Sequence, residues 1–299
     1  MIRVNPDCYA CFLRQVETAC RQGGLTEAAA LRSLSRAARY IGSISADDVP
    51  ARVASRLHAI VREASGVADP FDDVKREQKK RFRETYSKVR AKVDERGEGV
   101  EAAVLLAGAG NMYDFGIISE GEAERFFGDM DALTRGVYEI DHFMGALARA
   151  KVVGMLLDNT GEAPFDLVLA ERLMDGGIEV WFGVKGGPVI DDITYSDALE
   201  LGLDENIRVV SNGSQAVGTD LGDVSAEFLD MLHKSDLVIS KGQANFETLY
   251  GSLENCFFLF VCKCPVVEKI TRADYGSVML MADRVADEAG KNRGISQFK

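Results

Sequence analysis

Apolar positions in the first hundred residues recur at helical spacing. Phe12, Val16 and Ala19 share one face of a segment that ends at Gly23-Gly24. Thr26 opens a second, Ala-rich segment as its cap. Asp47-Asp-Val-Pro50 precedes a third segment, whose apolar stripe is Val53, Leu57, Ile60 and Val61. His58 within it reads as a packing or helix-surface residue. A fourth helix begins at Asp69-Pro-Phe-Asp-Asp, and its Lys and Arg residues through Arg90 read as a solvated face. No period-two alternation interrupts this stretch, so residues 6 to about 100 predict a helical module. Val100–Gly110 continues as a buried Ala-rich helix, and Gly121 to about Ala148 as further helix. Between them, Asn111 and Asp114 either bond the backbone of a turn or face a polar site.

From Lys151 the pattern changes. Apolar runs of strand length, Val152–Leu157, Glu179–Val184, Ile207–Val210, Leu237–Ser240 and Cys256–Val261, alternate with helical segments such as Asp166–Met174. Continuous apolar runs suit strands buried on both faces, and their alternation with helices predicts βαβ units. The expected fold class is α/β. A helical N-terminal domain, residues 1–148, precedes a Rossmann-like three-layer α/β domain with a mostly parallel sheet, residues 149–299.

Loops after successive parallel strands gather at one sheet edge, where such folds bind ligands. Here they carry oxygen donors. Asp158, Asn159 and Glu162 follow the first run, and Pro188-Val-Ile-Asp-Asp192-Ile-Thr194 the second. Ser211-Asn212-Gly213-Ser-Gln215 follows the third, and Ser240-Lys241-Gly-Gln-Ala-Asn245-Phe-Glu247 the fourth. Asp158, Asn159 and one of Asp191 and Asp192 form an oxygen-only set, which suits Mg²⁺ or Mn²⁺ rather than a soft metal. The Ser/Asn/Gly loop offers backbone donors for a phosphate, and Lys241 adds a positive charge. Together they describe a phosphoryl-transfer site. Taken singly, each has a plainer reading as a turn, a helix cap or a strand exit. No P-loop, dinucleotide fingerprint or nucleophile elbow is present.

Composition narrows the picture. Forty-seven acids against thirty-five bases give a formal charge of −12, which argues against a broad nucleic-acid surface. No apolar run reaches the roughly 20 residues of a membrane span, and the N-terminus lacks a signal-peptide core, so a cytoplasmic location is expected. The six cysteines lie at 8, 11, 20, 256, 262 and 264. Cys8-x-x-Cys11 with Cys262-x-Cys264 would offer four thiolates to zinc, but buried packing is the plainer reading, because the second spacing is too short for a usual structural site. Nothing in the sequence sets the oligomeric state.

Asp158-Asn159-x-Gly161-Glu162, Pro188–Thr194 and Lys241-Gly-Gln-Ala-Asn245-Phe-Glu247 resemble the signatures of the metal-dependent damage-control phosphatases. Cys8-x-x-Cys11, Asp69-Pro-Phe71 and Gly110-Asn111-x-x-Asp114-Phe-Gly116 are similar to its archaeal-type stand-alone subgroup, so the likeness runs from Pro6 to about Val267. The resemblance implies hydrolysis of small phosphomonoesters, such as sugar phosphates or phosphopantetheine-like compounds, with Mn²⁺, Co²⁺, Ni²⁺ or Mg²⁺. It implies Asp158, Asn159 and Asp192 as metal ligands and Lys241 as the phosphate-binding lysine. Asn245 and Glu247 fall in the same substrate loop. Water or Asp158 is the nucleophile. Asp191 stands where the family pattern has Asn. Two other readings compete: an S-adenosylmethionine-dependent carboxyl methyltransferase, proposed for relatives, and a non-enzymatic metal- or nucleotide-binding protein. The first needs a glycine loop where Asp158-Asn159 stands.

Overall fold

A computed structural model of the chain describes residues 2–97, 99–112 and 130–284. Asp114 and residues 121–129 of the helix expected from Gly121 to about Ala148 lie outside the described residues; the rest of that stretch is not one helix, because Arg135–Tyr138 is a strand and only Ile140–Leu147 is helical. Four helices come first: α1 (Pro6–Gln22), α2 (Glu27–Ile41), α3 (Pro50–Ser65) and α4 (Asp72–Arg96). Their starts follow local chemistry. The side chains of Asn5 and Thr26 accept hydrogen bonds from backbone N–H groups in the first turns of α1 and α2, and Pro occupies the first position of α1 and α3. Helix α5 (Val100–Gly110) is followed by β1 (Arg135–Tyr138) and α6 (Ile140–Leu147).

The remaining elements alternate: β2 (Val152–Leu156), α7 (Ala163–Asp175), β3 (Glu179–Val184), α8 (Tyr195–Glu200), β4 (Arg208–Ser211) and α9 (Ala226–Lys234). Then come β5 (Leu237–Lys241), α10 (Gln243–Leu249), β6 (Cys256–Val261), α11 (Pro265–Thr271) and β7 (Val278–Ala282). The seven strands form one sheet in the order β1-β7-β6-β5-β2-β3-β4. All pairings are parallel except β6 with β7. The three-layer α/β expectation holds.

Two core layers cover the sheet. Val153, Met155 and Leu157 face one, with α5 and α7, while Leu156, Trp181 and Phe258 face the other, with α1, α3 and α10. Alternate residues of β6 divide the same way, which is why that strand reads as an unbroken apolar run. Both cores are shared between the first helices and the sheet, through α4 on one face and α1–α3 on the other. Two details differ from expectation. The stretch before residue 148 contributes a strand, β1, so the sheet begins ahead of that boundary. Lys75 is buried between Asp69 (2.6 Å) and Asp197 (3.0 Å), and Lys79 also reaches Asp197 at 3.0 Å. Part of the lysine run on α4 therefore anchors α8 instead of facing water.

Sheet order also locates the crevice. From β2 the chain winds outward through β3 and β4, then returns to place β5 on the other side of β2. The C-terminal ends of β2 and β5 thus flank the point where strand order reverses, which is where open α/β sheets leave room for a ligand.

Candidate active site

Asp158 and Asn159 leave the end of β2, and Lys241 and Gly242 the end of β5. The loop after β3 runs antiparallel beside the β2 exit. Ile193 N–H donates to Asp158 O (2.8 Å), Thr160 N–H donates to Asp191 O (2.9 Å), and Asn159 and Asp192 form an isolated bridge. This pairing gives the adjacent acids different roles. Asp191 accepts from the Gln78 amide of α4 (2.9 Å), whereas Asp192 has its carboxylate 3.4 Å from the Lys185 ammonium. Ile190 just before them takes φ 45°, a left-handed backbone that a β-branched residue rarely adopts. Such outliers cluster at functional sites.

Asn111, at the end of α5, organises the other side. Its amide donates to Asp158 Oδ2 (3.2 Å) and Glu162 Oε1 (2.5 Å), and its oxygen accepts from Val261 N–H (3.2 Å). The Asn159 amide also donates to Glu162 Oε1 (3.2 Å). Of the two readings open for Asn111, the polar site is the one realised. Gly242, at φ 80°, makes room for all of this: a Cβ there would lie 2.0 Å from Asp158 Oδ2.

Lys241 sits inside a buried charge cluster. Its side chain is fully buried, with the ammonium 2.8 Å from Glu162 Oε2 and 2.7 Å from Asp166 Oδ1. Burial alone would lower its pKa, but Asp166 and Glu162 outweigh that and raise it. Burial pushes the Asp166 carboxyl up to about 6, against the pull of Lys241. Glu162 and Asp166 stand four residues apart at the start of α7. That like-charge spacing on a buried face calls for a cation, and it is the signal by which Asp166 was detectable. Lys185 and Gln78 gave no comparable signal.

The phosphate cradle expected at Ser211, Asn212 and Gly213 is already occupied by its own side chains. Gly213 N–H donates to Ser211 Oγ (3.1 Å), Ser214 N–H to Asn212 Oδ1 (2.9 Å) and Ala216 N–H to Ser214 Oγ (3.0 Å). Asn212 Oδ1 also accepts from Gly186 N–H (3.0 Å). These loops touch so closely that a Cβ on Gly186 would fall 2.5 Å from the Gly213 backbone.

Asn245 and Glu247 act as pins. The Asn245 amide donates to Lys241 O (2.8 Å), and its oxygen accepts from Thr219 (2.8 Å). Glu247 accepts from Gln243 (2.9 Å) and from the backbone of Ala51 in the first turn of α3. A carboxylate there satisfies a donor that no local side chain caps.

Asp158, Asn159 and Asp192 fit a hard divalent cation: all are buried, all offer oxygen, and their backbones are bound to one another. Among the described residues no group of three or more His, Cys, Asp or Glu side chains is arranged to hold a metal. Cys8, Cys11, Cys262 and Cys264, for which packing is the plainer expectation and zinc the alternative, are free thiols, with Cys8 and Cys262 buried. The Asp158 set contains two acids and an amide. No described helix is long and apolar enough to cross a membrane.

The profile of the damage-control phosphatase ARMT1-like domain matches residues 4–278. The chain belongs to that family. A damage-control phosphatase of Pyrococcus horikoshii is 28% identical over 290 residues, covering 95% of this chain and 99% of the relative. One from Archaeoglobus fulgidus is 27% identical, covering 93% and 98%. The crystal structure of a DUF89 family protein from P. horikoshii superposes with a TM-score of 0.84 at 28% identity, covering 95% of this chain and all of that one. For a damage-control phosphatase, the residues at the β2–β5 crevice are the natural place to look for the chemistry.

Proposed function

We propose that the chain is a metal-dependent phosphatase acting on small phosphorylated metabolites, sugar phosphates or phosphopantetheine-like compounds. The observation that carries this reading is the bridge between Asn159 and Asp192 beside Asp158, at the point where strand order reverses. Asp158, Asn159 and Asp192 would hold the divalent cation: Mn²⁺, Co²⁺, Ni²⁺ or Mg²⁺. When bound, the cation supplies Lewis-acid polarisation of the phosphoryl oxygens and balances their charge.

The chain's own groups do the positioning. Asn111 ties the Asp158 and Glu162 carboxylates together and keeps Asp158 turned toward the crevice. Lys241 holds Glu162 and Asp166 as a buried charged cluster, so its contribution is to fix the acids next to Asp158. Ser211, Asn212 and Gly213 form the facing wall through a self-bonded turn, which gives a substrate a rigid boundary. Asn245 and Glu247 fix the loop after β5 against Thr219 and against α3.

p-Nitrophenyl phosphate assayed with added Mn²⁺, Co²⁺ or Ni²⁺ tests the proposal, with Asp158→Ala as the paired variant. Metal-stimulated hydrolysis by the wild type alone supports it. Equal rates for both proteins would reject it. A phosphometabolite screen under the best metal then identifies the substrate class.

A further inference from the structure

Lys185 follows the last residue of β3, and its side chain is 3% exposed. Its ammonium donates to Ala216 O (3.0 Å) and Gly218 O, and lies 3.4 Å from Asp192 Oδ2. An ammonium has three N–H donors; two are taken by carbonyls of one loop, and its charge also faces the acid read above as a metal ligand.

That loop, residues 216–219, is tied to its surroundings through backbone groups on both sides. Val217 N–H donates to Ser55 Oγ of α3 (2.8 Å), and Thr219 N–H to Thr248 Oγ1 of α10 (3.0 Å). Gly218 takes φ 71°, and a Cβ there would meet Ala244 O at 2.4 Å. Carbonyls of the strap thus point at Lys185 while its N–H groups point at α3 and α10. The only charged group among these anchors is Lys185, and it is also the one that touches Asp192.

From this geometry we infer that Lys185 is a positioning residue that couples Asp192 to the 216–219 strap. A divalent cation arriving at Asp192 meets a fixed ammonium already sharing that carboxylate. Like charges repel in a buried site, so Lys185 holds metal affinity below what the three ligands alone would give. In return it keeps the strap, and with it Thr219 and Asn245, in register with the site. The metal half of this inference rests on the reading of Asp192 as a ligand; the strap half does not.

Lys185→Met separates the two halves. Calorimetric titration of the metal-free protein with Mn²⁺ should show binding roughly three- to tenfold tighter than wild type, because a neighbouring positive charge is gone. Hydrogen–deuterium exchange without metal should show faster exchange at the 214–220 peptide, while peptides from β5 and β6 stay protected and confirm the fold. Turnover should fall although metal binds better, a combination that a merely structural defect would not produce. Weaker Mn²⁺ binding, or an unchanged 214–220 peptide, would overturn the inference. Should Lys185→Met fail to fold, wild type answers instead: Mn²⁺ must alter exchange at 214–220, and no change there overturns the coupling. If wild type binds no Mn²⁺ at all, the metal reading of Asp192 fails, and the exchange result in Lys185→Met still decides the strap role.

Discussion

Asp158 and Gly242 occupy one another's space: a methyl group at 242 would sit 2.0 Å from the Asp158 Oδ2 atom. The crevice between β2 and β5 therefore depends on the absence of a side chain as much as on the acids around it. Gly242→Ala must push the carboxylate away and also force alanine into φ 80°. The backbone term alone is on the order of 1–3 kcal/mol. The expected result is loss of metal-stimulated phosphatase activity together with a lowered unfolding midpoint, read by phosphate release and urea denaturation. A variant with full activity would show that Asp158 need not stay where it is.

Lys241 offers a sharper contrast between two roles. A lysine that greets substrate phosphate can be removed with little effect on stability. Lys241 instead is ion-paired with both Glu162 and Asp166, all three being completely buried. Removing one partner of such a cluster costs about 3–5 kcal/mol, because charge is left behind in a dry site. Lys241→Met should therefore destabilise the protein by that amount in urea titrations. Pairing it with Glu162→Gln and Asp166→Asn should recover part of the loss. A variant as stable as wild type but with a raised KM would return Lys241 to direct phosphate binding.

How much of this could be read without coordinates depends on the distance over which each residue acts. Asp158-Asn159 is legible because an apolar strand ends abruptly in two oxygen donors, all within one segment. Lys185 looks like an ordinary strand exit, since its partners Ala216 and Gly218 lie about thirty residues on. Lys75 reads as surface charge because Asp197, 122 residues away, is invisible from α4. The four residues of β1, partly exposed and at the sheet edge, are too few to show a strand period. Ser211–Gly213 supports two readings for another reason. Small polar residues that can cradle a phosphate can equally bond their own turn, and here they do.

Glu247 carries a pH signature. Burial pushes its carboxyl up to about 7 from an ordinary 4.5, against the hydrogen bonds from Gln243 and Ala51. Between those two values the folded protein keeps a proton that the unfolded chain has released. Stability attributable to Glu247 is therefore complete at low pH and declines as pH rises through the window, by at most about 3 kcal/mol. Urea unfolding at pH 5 and pH 8 should show a smaller loss in Glu247→Gln than in wild type, since the amide keeps a hydrogen-bonding group without the charge. Identical pH dependence in the two proteins would contradict the raised value.

The adjacent acids Asp191 and Asp192 give the most direct check on which side of the loop faces the metal. Asp191 accepts from Gln78, and its main-chain oxygen accepts from Thr160 N–H, so it joins α4 and the β2 exit to the loop. An asparagine at 191 retains an acceptor for Gln78 and leaves the main chain untouched. Asp192 is bridged to Asn159 and contacts Lys185, so an asparagine there removes a charge beside the proposed cation. Asp191→Asn should bind Mn²⁺ within a few-fold of wild type. Asp192→Asn should lose roughly 10–100-fold, the range typical of disturbing a metal site, in calorimetric titration of the metal-free proteins. The reverse ranking would move the ligand role to Asp191, and the antiparallel pairing of residues 158–160 with 191–193 would then be a support instead of the site itself.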